Sequence, residues 1–242
     1  MTVLITYPQD HIGEALRRRL DDAARPAGGV VYCPLRRLQA TVPSESDLRA
    51  IASSDYLIIT SNFALTLYLE RYRHLNWLAT VVVLSRKMAT QAERYGLPHV
   101  LTPDEENQRG LARLLATLPH ARMAMLGGDL RVPHDHIPEE IPRIRIYENM
   151  WNDELEQSAI ETIADGAGAA HPIDRILVTS PSSYRRLRAI IGKIPHRFAE
   201  NPTYYALGPS TADIIREDGG IVIVPESNDV LRRAVELIIG NR

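Results

Sequence analysis

The sequence has little of what several large classes of protein require. Its 242 residues include a single cysteine, Cys33, which excludes an internal disulfide and a metal cage built from cysteines. No apolar run approaches the ~20 residues that span a membrane, and the amino terminus lacks the flanks of a signal peptide. The formal net charge of -2 gives no basic excess for nucleic acid. We therefore expect a cytoplasmic protein that acts neither on membranes nor on nucleic acids.

The short motifs of common enzymes are also missing. No G-x-G-x-x-G follows a strand pattern, and neither G-x-x-x-x-G-K-[ST] nor G-x-S-x-G occurs. His134-Asp135-His136 lies between two prolines without further ligands at metal-binding spacing, so a solvated turn is the better interpretation. The chemistry that remains needs positioning and a weak acid more than a strong base or a metal.

Short β-branched runs alternate with helical patterns along the chain. Residues 3–6, 30–33, 57–60 and 81–84 are typical of buried strands, and residues 221–224 repeat the pattern near the end. Several of these runs are followed by apolar residues at helical spacing. This alternation predicts βαβ units and a parallel sheet.

An ordered set of matches indicates an internal repeat. Five short segments recur in the same order after 115–123 residues. The matched pairs are residues 3–5 with 123–125, 31–32 with 146–147, 55–61 with 174–180, 84–89 with 207–212, and 110–111 with 230–231. The chain is therefore predicted to contain two copies of one α/β unit, each about half its length.

Ligands of open parallel sheets bind outside the carboxyl ends of the strands. The sequence places small polar residues there, at the starts of helices. They are Thr60-Ser61-Asn62, Ser85-Arg86-Lys87, Gly127-Gly128-Asp129, Thr179-Ser180-Pro181-Ser182-Ser183 and Gly208-Pro209-Ser210-Thr211. Helix capping explains such residues without any ligand. Their recurrence in both copies favours backbone N–H groups that bind an anion in a cleft between two lobes.

These motifs, in this order, resemble the uroporphyrinogen-III synthase family over nearly the whole length. The best matches are residues 179–183, residues 206–212 followed by Gly219-Gly220, and Ile146-Tyr147-Glu148. Thr60-Ser61, residues 110–111 and residues 126–128 add weaker support. The first copy departs from the family pattern, because Asn62 stands where the family has proline and Met88 where it has threonine.

The resemblance implies a fold and its boundaries. The fold is α/β, with two similar doubly wound parallel-sheet lobes joined by a two-stranded connector. A terminal lobe would comprise residues 1–34 and 152–242, and a central lobe residues 40–143. The connectors would be residues 31–39 and 144–151, which carry the matched tyrosines Tyr32 and Tyr147.

The resemblance also implies a reaction that requires no cofactor. Hydroxymethylbilane, a chain of four pyrroles with acetate and propionate arms, would be cyclised to uroporphyrinogen III with loss of water and inversion of the last ring. Such an enzyme is a lyase of porphyrin and haem biosynthesis. We expect a monomer that makes transient contact with hydroxymethylbilane synthase.

The same resemblance implies roles for particular residues. Tyr147 would be catalytic, since a phenol can donate a proton while it stays neutral at pH 7. The implied substrate-binding residues are Ser61, Asn62, Ser85, Lys87, Gly127, Arg131, Ser180, Ser182, Ser183, Gly208, Pro209, Ser210 and Thr211.

Two other functions compete with this interpretation. A non-enzymatic, two-lobed cytoplasmic protein that binds or senses a small ligand would keep the N–H-lined cleft and lack a proton donor. A signalling domain of the receiver kind would need an acidic cluster after the first strand, where Tyr7-Pro8-Gln9-Asp10 offers only Asp10.

Overall fold

The computed structural model describes residues 1–119, 121–130, 137–166, 171–227 and 229–240. The chain divides into two compact units. The terminal unit comprises Met1–Arg37 and Trp151–Arg242, and the central unit comprises Leu38–Met150. Each unit has its own sheet and its own apolar core.

Strands and helices alternate through most of the described chain. The strands are β1 (Thr2–Ile5), β2 (Gly29–Tyr32), β3 (Arg37–Ala40), β4 (Tyr56–Ile59), β5 (Thr80–Val83), β6 (Val100–Leu101), β7 (Met123–Gly127), β8 (Arg143–Arg145), β9 (Tyr147–Met150), β10 (Ile173–Val178), β11 (Phe198–Ala206) and β12 (Ile221–Ile223). The helices are α1 (Glu14–Ala24), α2 (Glu45–Ser53), α3 (Asn62–Leu67), α4 (Arg86–Arg94), α5 (Gln108–Thr117), α6 (Asp153–Asp165), α7 (Pro181–Lys193), α8 (Pro209–Glu217) and α9 (Val230–Gly240).

Each unit contains one five-stranded parallel sheet. The order is β12-β11-β10-β1-β2 in the terminal unit and β6-β5-β4-β7-β8 in the central unit. Strands β3 and β9 pair separately as a two-stranded sheet. The predicted α/β class with two similar parallel sheets is confirmed.

Helices cover both faces of each sheet. Successive side chains of a strand point to opposite faces, and in the middle strands the side chains on both faces are apolar. In β1, Leu4 packs with residues of α6, α7 and α8, whereas Val3 and Ile5 pack with α1 and α9. In β4, Leu57 packs with α2, α3 and α4, whereas Ile58 packs with α5. Both sheets are therefore doubly wound, and their middle strands are apolar on both sides.

The strand register supports the internal repeat. Tyr56 of β4 is opposite Met123 of β7, and Arg175 of β10 is opposite Val3 of β1. These are the pairs that the matches of residues 55–61 and 3–5 align. Residues 84 and 207 likewise come directly after β5 and β11, the neighbours of β4 and β10 on the other side. The two sheets are thus two copies of one topology.

One of the five matches is wrong. Ile5 is opposite Tyr32 in the terminal sheet, and its counterpart Met125 is opposite Arg143 in the central sheet. Tyr32 therefore corresponds to Arg143. Tyr147 lies beyond β8, in β9. Tyr32 and Tyr147 each follow an aliphatic residue, and they were matched because they are the same residue type. They lie in strands that are not equivalent in the two copies.

The repeat extends to one side-chain contact at the amino ends of the strands. Asp55 Oδ2 accepts the backbone N–H of Arg122 at 2.9 Å, and its match Asp174 accepts the backbone N–H of Thr2 through Oδ1 at 2.9 Å. The hydrogen bonds from Arg122, the backbone one first, hold the pKa of the Asp55 carboxyl below its ordinary value. Each aspartate ties the start of one strand to its neighbour.

The chain passes between the units at residues 37–38 and 150–151. Within the terminal unit, Arg186 of α7 touches the segments that lead to both crossings. Its guanidinium donates to Leu35 O at 2.7 Å and lies 4.6 Å from the ring of Trp151. The lobe and connector boundaries expected from the sequence, which assign residues 31–39 and 144–151 to connectors, stay a prediction. No helix of the described residues is long and apolar enough to cross a membrane.

Candidate functional site

Two helices of the central unit begin directly after β4 and β5 with a serine cap. Ser61 Oγ accepts the backbone N–H of Ala64 at 3.1 Å, and Ser85 Oγ accepts that of Met88 at 3.3 Å. Asn62 and Lys87, the neighbouring predicted binding residues, are exposed. Capping therefore accounts for one hydrogen bond of each serine, and it fixes both turns at the carboxyl edge of the sheet.

Tyr147 reaches the same edge from β9. Its hydroxyl donates to Ser61 Oγ at 3.2 Å, and its ring meets that of Phe63 edge-on, with 5.1 Å between centroids. The residue is 9% exposed, so most of the ring packs in the core of the central unit. These contacts fix the position of the phenol oxygen beside the turn that follows β4.

The turn after β7 approaches the face of this ring. Gly128 has no room for a side chain, because a Cβ there would lie 2.4 Å from Tyr147 Cε2. Gly127 has open space at that position, and its carbonyl accepts the N–H of Ile146 at 3.0 Å. The structure thus brings Ser61, Gly127 and Tyr147 together in the central unit.

In the terminal unit, hydroxyl groups crowd the start of α7. Ser180 Oγ accepts the backbone N–H of Ser183 at 3.2 Å and lies 3.1 Å from Ser182 Oγ. Ser183 is fully buried, and its hydroxyl lies 2.9 Å from Ser180 Oγ and 3.2 Å from Thr179 Oγ1. These contacts orient the hydroxyls with respect to one another.

The start of α8 differs from the other turns, because its amino end has no side-chain cap. Gly208 precedes the helix, and Pro209 and Ser210 are exposed. Thr211 is 2% exposed, and its hydroxyl makes no hydrogen bond among the described residues. This turn therefore offers backbone N–H groups that no side chain occupies.

Some expectations fall outside the part of the chain that the structure describes. Arg131 and His134-Asp135-His136 both lie there. Among the described residues, no group of three or more His, Cys, Asp or Glu side chains is placed to hold a metal ion. Burial raises the pKa of the Cys33 thiol to about 12, which disfavours the thiolate that a nucleophile requires.

The predicted residues line neither of two cavities found within the units. The first, of about 450 Å³, lies in the terminal unit, and the second, also about 450 Å³, lies in the central unit. The first is lined by residues 11–16, Arg19, Asp229, Leu231 and Arg232, and the second by residues 102–105, Gly110, Arg113, Leu114 and Thr117. The predicted turns instead lie at open strand ends.

Comparison with known proteins identifies the family. Residues 19–230 match the family described as uroporphyrinogen-III synthase HemD. The chain belongs to the uroporphyrinogen-III synthase family. It is therefore a lyase of porphyrin and haem biosynthesis, and its substrate is hydroxymethylbilane. Family membership favours this activity over a non-enzymatic ligand-binding role.

The fold agrees with a solved structure. Uroporphyrinogen-III synthetase from Helicobacter pylori aligns over 100% of this chain and 99% of that one, at 15% identity and a TM-score of 0.61. Alanine racemase from Corynebacterium glutamicum covers 78% of this chain at 13% identity, and 60% of its own chain is covered. Its TM-score of 0.19 carries no argument about the fold. No curated protein matches the sequence.

Sequence reasoning missed Phe63 and gave Asp129, which it placed in a strand-end turn, no role of its own. Phe63 contacts the ring of Tyr147, and Asp129 accepts the backbone N–H of Asn149, two residues further along β9. Asp129 carried a signal, because it is a carboxylate at a strand end otherwise poor in them. Phe63 carried none, since an aromatic residue in a helix is typical of any core.

Proposed function

We propose that Tyr147 is the proton donor in the cyclisation of hydroxymethylbilane. One observation supports this role most directly. The hydroxyl of Tyr147 lies 3.2 Å from Ser61 Oγ, at the carboxyl edge of a parallel sheet. Ligands of open α/β sheets bind at that edge. The phenol is thus held beside a ligand-binding position although most of its ring is buried.

The proposed step needs only a weak acid. The lone pair of the first pyrrole expels the hydroxyl as the C–O bond breaks, and the Tyr147 O–H protonates the departing group to water. The last ring attacks the resulting azafulvenium ion through its substituted carbon, and the spiro intermediate fragments and recombines with that ring inverted. The proton released as the ring regains aromaticity then restores the phenol.

Binding in this proposal uses turns of both units. Hydroxymethylbilane carries several carboxylates, and helix N-termini favour anions. In the terminal unit, the uncapped start of α8 with Gly208, Ser210 and Thr211 suits a carboxylate arm. The starts of α3, α4 and α7 would contribute through Asn62, Lys87 and Ser182, with Arg131, Ser85, Ser180 and Ser183 as further predicted contacts.

The proposal makes restraint of geometry the main task of the protein. Hydroxymethylbilane closes spontaneously without inversion, so the enzyme must select one closure over another. A fixed phenol and fixed anion-binding turns restrain the substrate without strong acid–base chemistry. A cytoplasmic location, a monomeric state and transient contact with hydroxymethylbilane synthase belong to the same proposal.

The test is Tyr147→Phe, which removes only the hydroxyl and keeps the ring contacts with Phe63. Loss of a general acid typically costs 10²–10⁴-fold, and water substitutes in part, so we expect the rate of uroporphyrinogen III formation to fall by about 10–100-fold. Freshly generated hydroxymethylbilane is the substrate, and the two uroporphyrin isomers are separated and quantified.

Tyr68→Phe is the matched control. Tyr68 lies in the same core, is fully buried, and donates its hydroxyl to Asn76 O at 3.3 Å. It loses the same chemical group away from the proposed site, so its rate should stay within about twofold of wild type. An unchanged rate in Tyr147→Phe would remove Tyr147 from the mechanism.

A further inference from the structure

Asp129 makes a contact that neither capping nor ion pairing explains. It lies two residues beyond the end of β7, and its side chain is exposed. Its Oδ1 accepts the backbone N–H of Asn149 at 2.8 Å, across a separation of 20 residues. In the described part of the chain, Asp129 begins no helix and pairs with no cation. The hydrogen bond that it makes within those residues is to the backbone of β9.

The topology explains why β9 needs this partner. Among the described residues, β9 pairs with β3 and with no other strand. Asn149 is 8% exposed and its N–H makes a part-buried hydrogen bond, and an N–H shielded from water is costly to leave without an acceptor. The Asp129 carboxylate supplies the acceptor oxygen that this N–H requires. Asp129 thus fixes a strand that the five-stranded sheet does not include.

The same turn also contacts the proposed proton donor. Asp129 follows Gly128, where a Cβ would overlap the Tyr147 ring. Asn149 follows Tyr147 by two residues on β9, so the backbone that Asp129 holds is the one that carries the ring. Gly128 leaves space for the ring, and Asp129 prevents β9 from moving away.

We propose that Asp129 is a positioning residue for Tyr147. By accepting the Asn149 N–H it holds β9 so that the phenol stays on Ser61 and the ring stays against Gly128. The role needs an acceptor oxygen at this place and does not need a negative charge. It rests on the proposed function of Tyr147 as the proton donor.

Two substitutions separate positioning from direct chemistry. Asp129→Ala removes the acceptor, and we expect kcat to fall about tenfold with KM within twofold, because small misplacements of a catalytic group cost up to about 10²-fold. Asp129→Asn keeps an acceptor oxygen and should restore kcat to within threefold of wild type. If Asp129→Asn is as slow as Asp129→Ala, the charge itself acts on the substrate, and the positioning role is overturned.

A double variant tests whether the effect passes through the phenol. In Tyr147→Phe, adding Asp129→Ala should lower kcat by less than twofold, because no hydroxyl remains to be positioned. An undiminished tenfold loss would contradict the proposal. A full rate in Tyr147→Phe alone would instead refute the proposed proton donor, so the two failures are distinguishable.

Exposed Asp104, three residues beyond β6 in the same sheet, gives the matched control Asp104→Ala, which should keep wild-type kcat. Amide hydrogen exchange supplies a readout that does not depend on activity. The Asn149 amide should exchange at least tenfold faster in Asp129→Ala and at close to the wild-type rate in Asp129→Asn. Equal protection in Asp129→Ala would show that the carboxylate does not hold β9, and would overturn the proposal.

Discussion

The two units share a strand order and differ in the turns after equivalent strands. In the terminal unit, β1 leads into Thr6-Tyr7-Pro8, and Tyr7 contacts the ring of His11 with 5.5 Å between centroids. In the central unit, β7 ends at Gly127 and leads into Gly128-Asp129, and the ring at that place comes from β9. The turn after this strand therefore contains an aromatic residue in the terminal unit. In the central unit it contains glycines, which leave space for an aromatic ring from β9.

The helix starts differ in the same way. In the central unit, Ser61 and Ser85 cap the helices after β4 and β5. In the terminal unit, Ser180 caps α7, but α8 has no side-chain cap and begins at Pro209. The two copies thus share the sheet, which requires apolar strands, and differ in their turns. In our proposal turns of both units bind carboxylates, the central unit also supplies the acid, and the uncapped start of α8 is one of the binding turns.

The largest effect should come from filling the glycine turn. Gly128→Ala places a Cβ 2.4 Å from the Tyr147 ring, so the ring or the turn must move. Overpacking typically costs about 1–3 kcal/mol, and a misplaced catalytic group about 10²-fold in rate. We expect kcat to fall about 100-fold, measured as uroporphyrinogen III formed per folded protein.

Gly192→Ala in the terminal unit is the control for that change. No atom lies within 4 Å of a Cβ built at Gly192, which sits inside α7. Alanine is favoured over glycine in a helix by about 1 kcal/mol, so this variant should be at least as stable as wild type and as active. Similar rates for the two variants would show that the contact between Gly128 and Tyr147 is irrelevant to catalysis.

A smaller effect should separate Thr211 from Met88, which occupies the equivalent place in the central unit. Thr211→Val removes a hydroxyl that has no partner among the described residues, so we expect KM to rise about tenfold while stability changes little. Met88 is 3% exposed, and Met88→Ala should lower the free energy of unfolding by about 2–5 kcal/mol with KM unchanged.

Steady-state kinetics and denaturant unfolding of both variants provide the measurement. A rise in KM for Met88→Ala equal to that for Thr211→Val would remove the proposed difference between the start of α8 and the start of α4. A fall in stability for Thr211→Val with KM unchanged would assign its hydroxyl to the core.

The sequence predicted those features that depend on local residue patterns or on the internal repeat. Alternating apolar runs predicted the parallel sheets, and the match around Asp55 and Asp174 located equivalent strands correctly. The strand-end rule also led to the turns at Ser61 and Gly127. It could not show that Tyr147 contacts Ser61 across 86 residues, because β9 leaves the five-stranded sheet and no local pattern encodes that departure.

The fifth match failed for a physical reason. Tyr32 donates its hydroxyl to Asp21 Oδ1 at 3.0 Å within the terminal unit, whereas Tyr147 lies one strand further along its copy. A match of residue type shows only that both positions favour the same kind of packing, and tyrosine is favoured in both of these half-buried strands. Only the hydrogen-bond register of the strands distinguishes the two tyrosines. That register depends on the segments that connect the strands, and these differ in length between the copies.

The smallest effect concerns the aspartates that the two units share. Asp55→Asn and Asp174→Asn each weaken a bond to the backbone N–H of a neighbouring strand. Asp55 also lies 3.4 Å from the guanidinium of Arg122, so its contribution should decline with added salt. We expect a decrease of about 2 °C or less in the midpoint of thermal unfolding for each variant, with unchanged catalysis.

The pH dependence gives the sharper test at Asp55. Its folded-state pKa lies below the ordinary value of 3.8, so the unfolded chain takes up this proton first as the pH falls. The stability that Asp55 contributes is therefore complete above pH 3.8 and is lost as the pH falls from there through the folded-state value. The difference in unfolding free energy between wild type and Asp55→Asn should shrink over that window. A difference that stays constant, or grows, would show that the Arg122 contact does not stabilise the ionised carboxyl. The repeated aspartates would then share a position in the fold without sharing an energetic role.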